Sequence, residues 1–235
     1  MMEQMEPILR QGLHDLGLSA EKTPQLQRYA ELLVETNKVM NLTAITEPAD
    51  IATLHFLDCA ALLPLADFHG KTVADVGTGA GFPGLPLKIL EPSMSITLLD
   101  AQGKRVNFLQ QVCDDLGLTG VECVHARAEE FAAGHRESCD IVTSRAVAAL
   151  PMLCELCLPL VKVGGVFVAM KSVESDEELR SAAHAISLLG GDTPEVKDYV
   201  IPGTEVTHRA VLIKKIRRTP EKYPRIFAKI KKNPL

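Results

Sequence analysis

An apolar run at residues 72–76 leads directly into glycines at every second position, Gly77, Gly79 and Gly81. Glycine is costly in a folded chain, because its backbone loses more conformational freedom on folding than that of any other residue. Three alternating glycines therefore indicate a turn that needs positive φ angles, or a backbone that a ligand approaches closely. We expect a strand followed by this turn, with a nucleotide-like molecule bound beside it.

Two classes of nucleotide site fit this loop. Gly79, Gly81 and Gly84 match the dinucleotide fingerprint G-x-G-x-x-G, but that fingerprint begins where a strand ends, and this strand is expected to end at Val76. An acid two residues before the first glycine, Asp75, followed by alternating glycines, instead resembles the first motif of S-adenosylmethionine-dependent methyltransferases. A nicotinamide or flavin oxidoreductase, a methyltransferase and a glycine turn that binds nothing all stay open on the loop alone.

A second apolar run, residues 95–99, ends in Asp100, 23 residues after Gly77. In doubly wound folds this is where an acid accepts hydrogen bonds from ribose hydroxyls. Asp100 therefore supports an adenosine ligand in either class of enzyme. The alternative is a helix N-cap for the run at residues 102–116.

Further candidate site residues follow the third and fourth predicted strands. Ala128 and Glu129 come after the strand at residues 121–125, where a carboxylate can accept from the adenine amino group; the alternative is an acid favoured by a helix dipole. Arg145 follows the strand at residues 140–144, at the edge of the sheet where open α/β folds bind ligands. We expect Arg145 to face the substrate or the methionine end of the cofactor, and the alternative is a structural salt bridge.

The alternation of elements predicts an α/β fold, a Rossmann-like sheet with a helical N-terminal cap. Three parts of a single structural domain are expected: a cap at residues 1–70, a cofactor-binding core at 71–216 and a basic tail at 217–235. Strands are predicted near 72–76, 95–99, 121–125, 140–144, 165–170, 196–201 and 209–214, and the last two form a C-terminal hairpin. Helices are predicted at 7–18, 22–40, 84–90, 103–116, 147–160 and 174–189.

Composition argues for one cytoplasmic enzyme. A chain of 235 residues with 46% hydrophobic content can bury one large core. The chain has no uninterrupted run of about 18 apolar residues, which is the length needed to cross a membrane. Its start lacks the features of a signal peptide. Cys154 and Cys157 form one Cys-x-x-Cys, but no second pair at zinc spacing and no nearby histidine accompany it, so we expect six reduced thiols and no metal.

Charge is distributed unevenly. The chain carries a net charge of −5, yet residues 214–235 hold nine basic residues against one acid, a net charge of +8. This segment is expected to bind RNA phosphates, and the alternative is a solvated tail that aids solubility. The predicted RNA-binding residues are Lys104, Arg105, Lys214, Lys215, Arg217, Arg218, Lys222 and Arg225. A non-catalytic RNA-binding module is a further alternative.

Linked motifs along the chain resemble the RsmG (GidB) family of bacterial methyltransferases. They are Asn37-Lys38 with Asn41-Leu42-Thr43, His55 with Asp58, Asp75 through Leu87, Asp100 with Lys104-Arg105 and Phe108-Leu109, Ala128-Glu129, Ser144-Arg145-Ala146, Gly164-Gly165 and Thr219-Pro220 to Pro234-Leu235. The chain departs from the family pattern at Leu54, usually basic, at Cys59, usually serine, and at Ser172, often glycine.

The resemblance implies methyl transfer from S-adenosyl-L-methionine to guanine N7 in 16S rRNA, at nucleotide 527 of the 530 loop. It implies a cofactor site made by Gly77, Phe82, Ala128, Glu129 and Arg145, beside Asp75, Gly79 and Asp100 from the motif analysis. Guanine N7 has a free lone pair and no proton to lose, so proximity and orientation matter more than a general base. Arg145 is the expected catalytic residue, and a monomer acting on 16S rRNA or a small-subunit precursor is expected.

Overall fold

The computed structural model describes residues 4–235, and its frame is a seven-stranded sheet of order β3-β2-β1-β4-β5-β7-β6. The strands β1 to β5 are parallel, and β7 runs antiparallel between β5 and β6. Their bounds are β1 (Thr72–Val76), β2 (Ser95–Asp100), β3 (Val121–His125), β4 (Cys139–Arg145), β5 (Val161–Ser172), β6 (Glu195–Val200) and β7 (Thr207–Lys214). The predicted α/β class and C-terminal hairpin are confirmed.

Ten α-helices surround the sheet within residues 4–235. They are α1 (Met5–Asp15), α2 (Thr23–Met40), α3 (Pro48–Asp50), α4 (Asp58–Ala60), α5 (Gly84–Leu90), α6 (Gly103–Asp115), α7 (Ala128–Gly134), α8 (Leu150–Cys157), α9 (Asp176–Leu188) and α10 (Phe227–Lys232). A π-helix, Ile51–Leu57, joins α3 to α4, and a 3-10 helix, Leu158–Leu160, follows α8. None of the helices in this part of the chain is long and apolar enough to span a membrane.

The sheet separates two hydrophobic cores. Neighbouring strand residues point to opposite faces, so Val73 joins one core and Ala74 the other. The first core contains the N-terminal helices and α6, and the second contains α8 and α9. The described part of the predicted cap is mostly helical, as expected; residues 1–3 lie outside the described range.

The fourth strand is followed by a loop rather than directly by a helix. The helix predicted over 147–160 begins at Leu150, because Ala146 has a φ of 55° and Ala149 is extended. A positive φ is unfavourable for alanine and interrupts helical geometry. The prediction of the helix start is therefore wrong by three residues. These residues form a loop instead, and this loop lies at the candidate site.

The C-terminal segment is not a solvated tail. Tyr223 and Ile230 are buried in the second core, and Arg136 donates hydrogen bonds to the carbonyls of Thr219 and Tyr223. The segment that starts at residue 217 therefore packs on the α/β core.

Candidate active site

The loops after β1 and β4 meet where the strand order reverses, between these two adjacent strands. Three cavities open there. The β2–β3 cavity, of about 290 Å³, is lined by Gly77, Asp100, Ala128 and Glu129 among others. The loop cavity, of about 240 Å³, is lined by Gly77, Gly79, Phe82, His55 and Arg145. The β4–β5 cavity, of about 580 Å³, is lined by Arg145, Lys171, Glu178 and His208.

The glycine turn needs positive φ angles, as predicted. Gly77 has a φ of 68° and Gly79 a φ of 62°. A Cβ on Gly77 would lie 2.4 Å from Val147 Cγ2, so this glycine also permits close packing with the loop after β4. A Cβ on Gly79 would meet nothing nearer than 4.0 Å, and its glycine is required by conformation alone.

Asp75 stabilises the turn from behind. Its side chain is fully buried, and it accepts hydrogen bonds from the Gly84 amide at 2.9 Å and the Thr143 hydroxyl at 2.9 Å. Burial raises the pKa of Asp75 to about 6, although these hydrogen bonds favour the ionised form. Asp75 lines none of the three cavities, so the expected direct contact with a cofactor is corrected to a positioning role.

Asp100 lies at the floor of the β2–β3 cavity. Its carboxylate accepts from the amides of Gly79, at 3.0 Å, and Gln102, at 2.8 Å. The N-cap of α6 is Gln102, not Asp100. Arg105 lies 3.5 Å away and lines both this cavity and the loop cavity. Asp100 therefore orients the glycine turn as well as facing the cavity.

Arg145 lies between the loop cavity and the β4–β5 cavity. Its guanidinium donates to His55 Nδ1 at 2.9 Å, to Asp58 Oδ2 at 3.2 Å and to the Leu54 carbonyl at 3.3 Å. It also lies over the Phe82 ring, 4.9 Å from the centroid. The sequence left two alternatives for Arg145, and the geometry combines them: it forms a buried salt bridge and still lines both cavities.

These contacts fix the protonation of His55. Because a guanidinium can only donate, Nδ1 of His55 is an acceptor, and Nε2 carries the proton that faces Thr43 Oγ1 at 2.9 Å. Burial and the positive charge of Arg145 lower the pKa of His55 to about 3. His55 is therefore neutral near pH 7 and stacks on Phe82 with ring centroids 4.3 Å apart.

Asp58 connects Arg145 to the antiparallel edge of the sheet. Its carboxylate is 1% exposed, and it accepts from the Tyr199 hydroxyl at 2.8 Å and from His208 Nδ1 at 2.9 Å. The hydrogen bond to Asp58 raises the pKa of His208. We call His55, Asp58, Arg145, Tyr199 and His208 the Arg145 network. All five are joined by hydrogen bonds, so the guanidinium is held in one orientation.

Seven of the eight predicted RNA-binding residues fall into two groups, exposed and packed, and the eighth, Arg105, lines the β2–β3 and loop cavities beside Asp100. Lys104, Lys214, Arg217, Arg218 and Lys222 are exposed. Lys215 is 1% exposed and donates to the carbonyls of Leu158 and Val161, so its predicted RNA contact is wrong. Arg225 donates two guanidinium hydrogen bonds and one backbone hydrogen bond to the fully buried Glu155, which makes it a packing residue rather than a free phosphate ligand.

Several cavity residues were not predicted as site residues. His55 and Asp58 were noticed as a motif without a role, and their spacing on one helical segment was the available signal. Lys171, Glu178, His208 and Phe227 carried no such signal, because the fold brings them in from distant segments. Among the described residues, no group of three or more His, Cys, Asp or Glu side chains could hold a metal ion.

Solved structures with the same fold include methyltransferases. A SAM dependent methyltransferase from Aquifex aeolicus superimposes with a TM-score of 0.52 and 18% identity, covering 72% of this chain and 94% of the other. TYW2 from M. jannaschii, in complex with AdoMet, gives a TM-score of 0.54 and 13% identity, covering 68% of this chain and 75% of the other. At these identities the likeness concerns the fold.

Sequence relatives are much closer. Ribosomal RNA small subunit methyltransferase G of Alkaliphilus metalliredigens is 45% identical over 223 residues, 93% of each chain. Its counterpart in Staphylococcus epidermidis is 45% identical over 232 residues, 98% of this chain and 96% of the relative. The GidB family model, described as rRNA small subunit methyltransferase G, matches residues 22–206. The predicted S-adenosyl-L-methionine cofactor agrees with these findings, and the chain belongs to the rRNA small subunit methyltransferase G family.

Proposed function

We propose that the protein transfers a methyl group from S-adenosyl-L-methionine to N7 of a guanine in 16S rRNA, at nucleotide 527 of the 530 loop. One observation carries the proposal. The β2–β3 cavity and the loop cavity share Gly77, and the loop cavity and the β4–β5 cavity share Arg145. Three neighbouring compartments with shared wall residues suit an adenosine group, a methionine group and an acceptor base.

The residues present fit the cofactor. Asp100 offers a carboxylate for the ribose hydroxyls, and Glu129 offers one for the adenine amino group, both at the β2–β3 cavity. The open backbone at Gly79 and the Arg145 guanidinium, both at the loop cavity, suit an aminocarboxylate. Ala128 is small and 9% exposed in the same cavity wall as Glu129, where a larger side chain would reduce the space for adenine.

The proposed chemistry needs little acid–base catalysis from the protein. S-adenosyl-L-methionine supplies a methyl group on a positively charged sulfonium. Because N7 of guanine has a lone pair and no proton, no side chain has to act as a general base. His55 is neutral and its Nδ1 is occupied by Arg145, which agrees with a positioning role. Arg145 and Phe82 would orient the reacting groups at the boundary of two compartments.

RNA binding is assigned to the exposed cations. Arg218, at 88% exposure, and Lys222 lie on the packed C-terminal segment, and Lys104 lies at the start of α6. The substrate is 16S rRNA, free or in a small-subunit precursor, and the protein acts in the cytoplasm as a monomer without a metal.

The test is mapping of the methyl group. 16S rRNA from a deletion strain should lack 7-methylguanosine in the 530 loop, and the wild-type gene should restore it, as measured by mass spectrometry of nuclease fragments. Arg145→Lys keeps the charge but loses the planar fork of the guanidinium. The purified variant should methylate at less than about a tenth of the wild-type rate, which corresponds to the loss of roughly one charged hydrogen bond. Intact 7-methylguanosine in the deletion strain would refute the proposed function.

A further inference from the structure

The β4–β5 cavity contains a carboxylate that the proposed chemistry does not use. Glu178, in the first turn of α9, lines this cavity but neither of the other two. Its Oε2 accepts from Lys171 Nζ at 2.6 Å and from the Leu150 amide at 2.9 Å. Both bonds engage Oε2, which leaves Oε1 of this cavity-lining residue able to accept further hydrogen bonds.

We propose that Glu178 reads the Watson–Crick edge of the target guanine in the β4–β5 cavity. This inference rests on the proposed function. Enzymes that modify a base within folded nucleic acid bind it extruded in a pocket, where they contact its Watson–Crick edge and pack apolar side chains on its faces. The cavity supplies such apolar walls in Ile45, Leu54, Met170 and Val206. Its volume of about 580 Å³ is in the range of small-ligand sites.

The charges of the cavity favour guanine over adenine. Guanine presents two neighbouring donors, N1–H and the N2 amino group, and only an acceptor can bind them. A carboxylate is such an acceptor, whereas it would repel the unprotonated N1 of adenine. The O6 atom next to N7 needs a donor, and Arg145, Lys171 and His208 place donors on the same cavity.

Glu178 is held ready for this role. Although burial opposes ionisation, the hydrogen bonds from Lys171 and the Leu150 amide hold the pKa of Glu178 below its usual value. The carboxylate is therefore ionised at neutral pH, and its contacts with β5 and with the start of α8 limit its rotation. Arg145 borders the loop cavity as well, so N7 would face the methyl donor while the opposite edge of the base meets Glu178.

The sharpest variant is Glu178→Gln. Its amide oxygen can still accept from Lys171 and Leu150, while its amino group replaces the acceptor at Oε1 with a donor. The matched control is Glu177→Gln on the same helix, whose side chain is 83% exposed and pairs with Arg180 instead. Both variants should remain folded, and their affinity for S-adenosyl-L-homocysteine should match the wild type.

The readout is the preference for guanosine over inosine, which lacks only the N2 amino group. Small subunits reconstituted with 16S rRNA carrying either nucleoside at the target position serve as substrates. Wild type and Glu177→Gln should prefer guanosine in kcat/KM by about 10- to 100-fold. In Glu178→Gln we expect guanosine methylation to fall by about 10- to 100-fold and the preference to shrink to a few-fold.

The outcomes separate the two proposals. If wild type methylates inosine as fast as guanosine, or if Glu178→Gln keeps the full preference, the role of Glu178 is overturned while N7 methylation stands. Equal rates on inosine and guanosine in the wild type would overturn the role of Glu178 even if Glu178→Gln fails to fold. If wild type places its methyl group on another atom or another base, the proposed function itself fails.

Discussion

The two sides of the site are built in different ways. On the cofactor side, Asp100 ends β2 and Glu129 lies in the first turn of α7, just after β3, and both line the β2–β3 cavity. On the acceptor side, Asp58 binds Arg145, Tyr199 and His208, which lie 87 to 150 residues away in sequence. On the cofactor side the carboxylates face a cavity, whereas on the acceptor side the polar side chains are hydrogen-bonded to one another. Substitutions should therefore cost ligand affinity on one side and stability on the other.

The largest expected effect is on stability, at Asp58. Asp58→Ala removes the acceptor of three hydrogen bonds and leaves Arg145 buried without its ion-pair partner. Removing one member of a buried pair typically costs about 3–5 kcal/mol of unfolding free energy. Denaturant unfolding measures this loss. Asp100→Ala is the comparison, with an expected loss of about 1–2 kcal/mol for two backbone hydrogen bonds; equal losses would contradict the distinction between the two sides.

The cofactor side of the site is easier to predict from the sequence than the acceptor side. The strand, the glycine turn and Asp100 are predictable because they are encoded within about thirty residues. The burial of Asp75 is not, since it depends on β4 and α5 packing around it. Glu178 joins the site only because α9 packs beside the start of α8 and the end of β5, and His208 joins it only because β7 lies next to Asp58. The Lys214–Lys215 pair could have been separated, because strand alternation continues past β7 and turns Lys215 inward.

Ligand affinity should respond most on the cofactor side. Asp100→Ala should weaken binding of S-adenosyl-L-homocysteine by about 1–3 kcal/mol, because ribose hydroxyls lose a charged acceptor. Isothermal titration calorimetry measures it. Glu130→Ala, exposed and outside the cavity, is the control and should bind normally. Unchanged affinity in Asp100→Ala would remove Asp100 from the site.

Acid should destabilise the acceptor side through His55. Its pKa is about 3 in the folded protein against 6.5 for an unperturbed histidine, so below pH 6.5 the unfolded state binds the proton first and stability falls with pH. Between pH 6.5 and 5 this amounts to about 2 kcal/mol. Comparison with His55→Gln isolates the effect.

The titration of Asp75 does not affect the comparison of wild type with His55→Gln. The raised pKa of Asp75, about 6, has the opposite sign: the folded state binds its proton first, so its contribution grows as pH falls below 6. Because Asp75 is present in both proteins, it cancels in the difference between wild type and His55→Gln. Parallel stability curves for the two proteins over this pH range would show that His55 does not titrate as its contacts imply.

The smallest expected effect is on RNA affinity, and it concerns the exposed cations of the C-terminal segment. Deleting residues 217–235 would also remove Tyr223 and Ile230 from the core, so charge has to be removed without truncation. Arg218→Gln and Lys222→Gln each remove one exposed cation. Each lost phosphate contact should reduce the slope of log affinity against log salt by about 0.7 to 0.9.

The buried neighbour Lys215 supplies the contrast for that measurement. Lys215→Met removes a cation whose ammonium binds Thr219 and two backbone carbonyls, so it should lower the melting temperature and leave the salt slope unchanged. RNA affinity measured at several salt concentrations for the three variants decides between the two groups of cations. If the slope stays constant in Arg218→Gln and Lys222→Gln, the RNA is held elsewhere, and Lys104 beside the cofactor side becomes the next candidate.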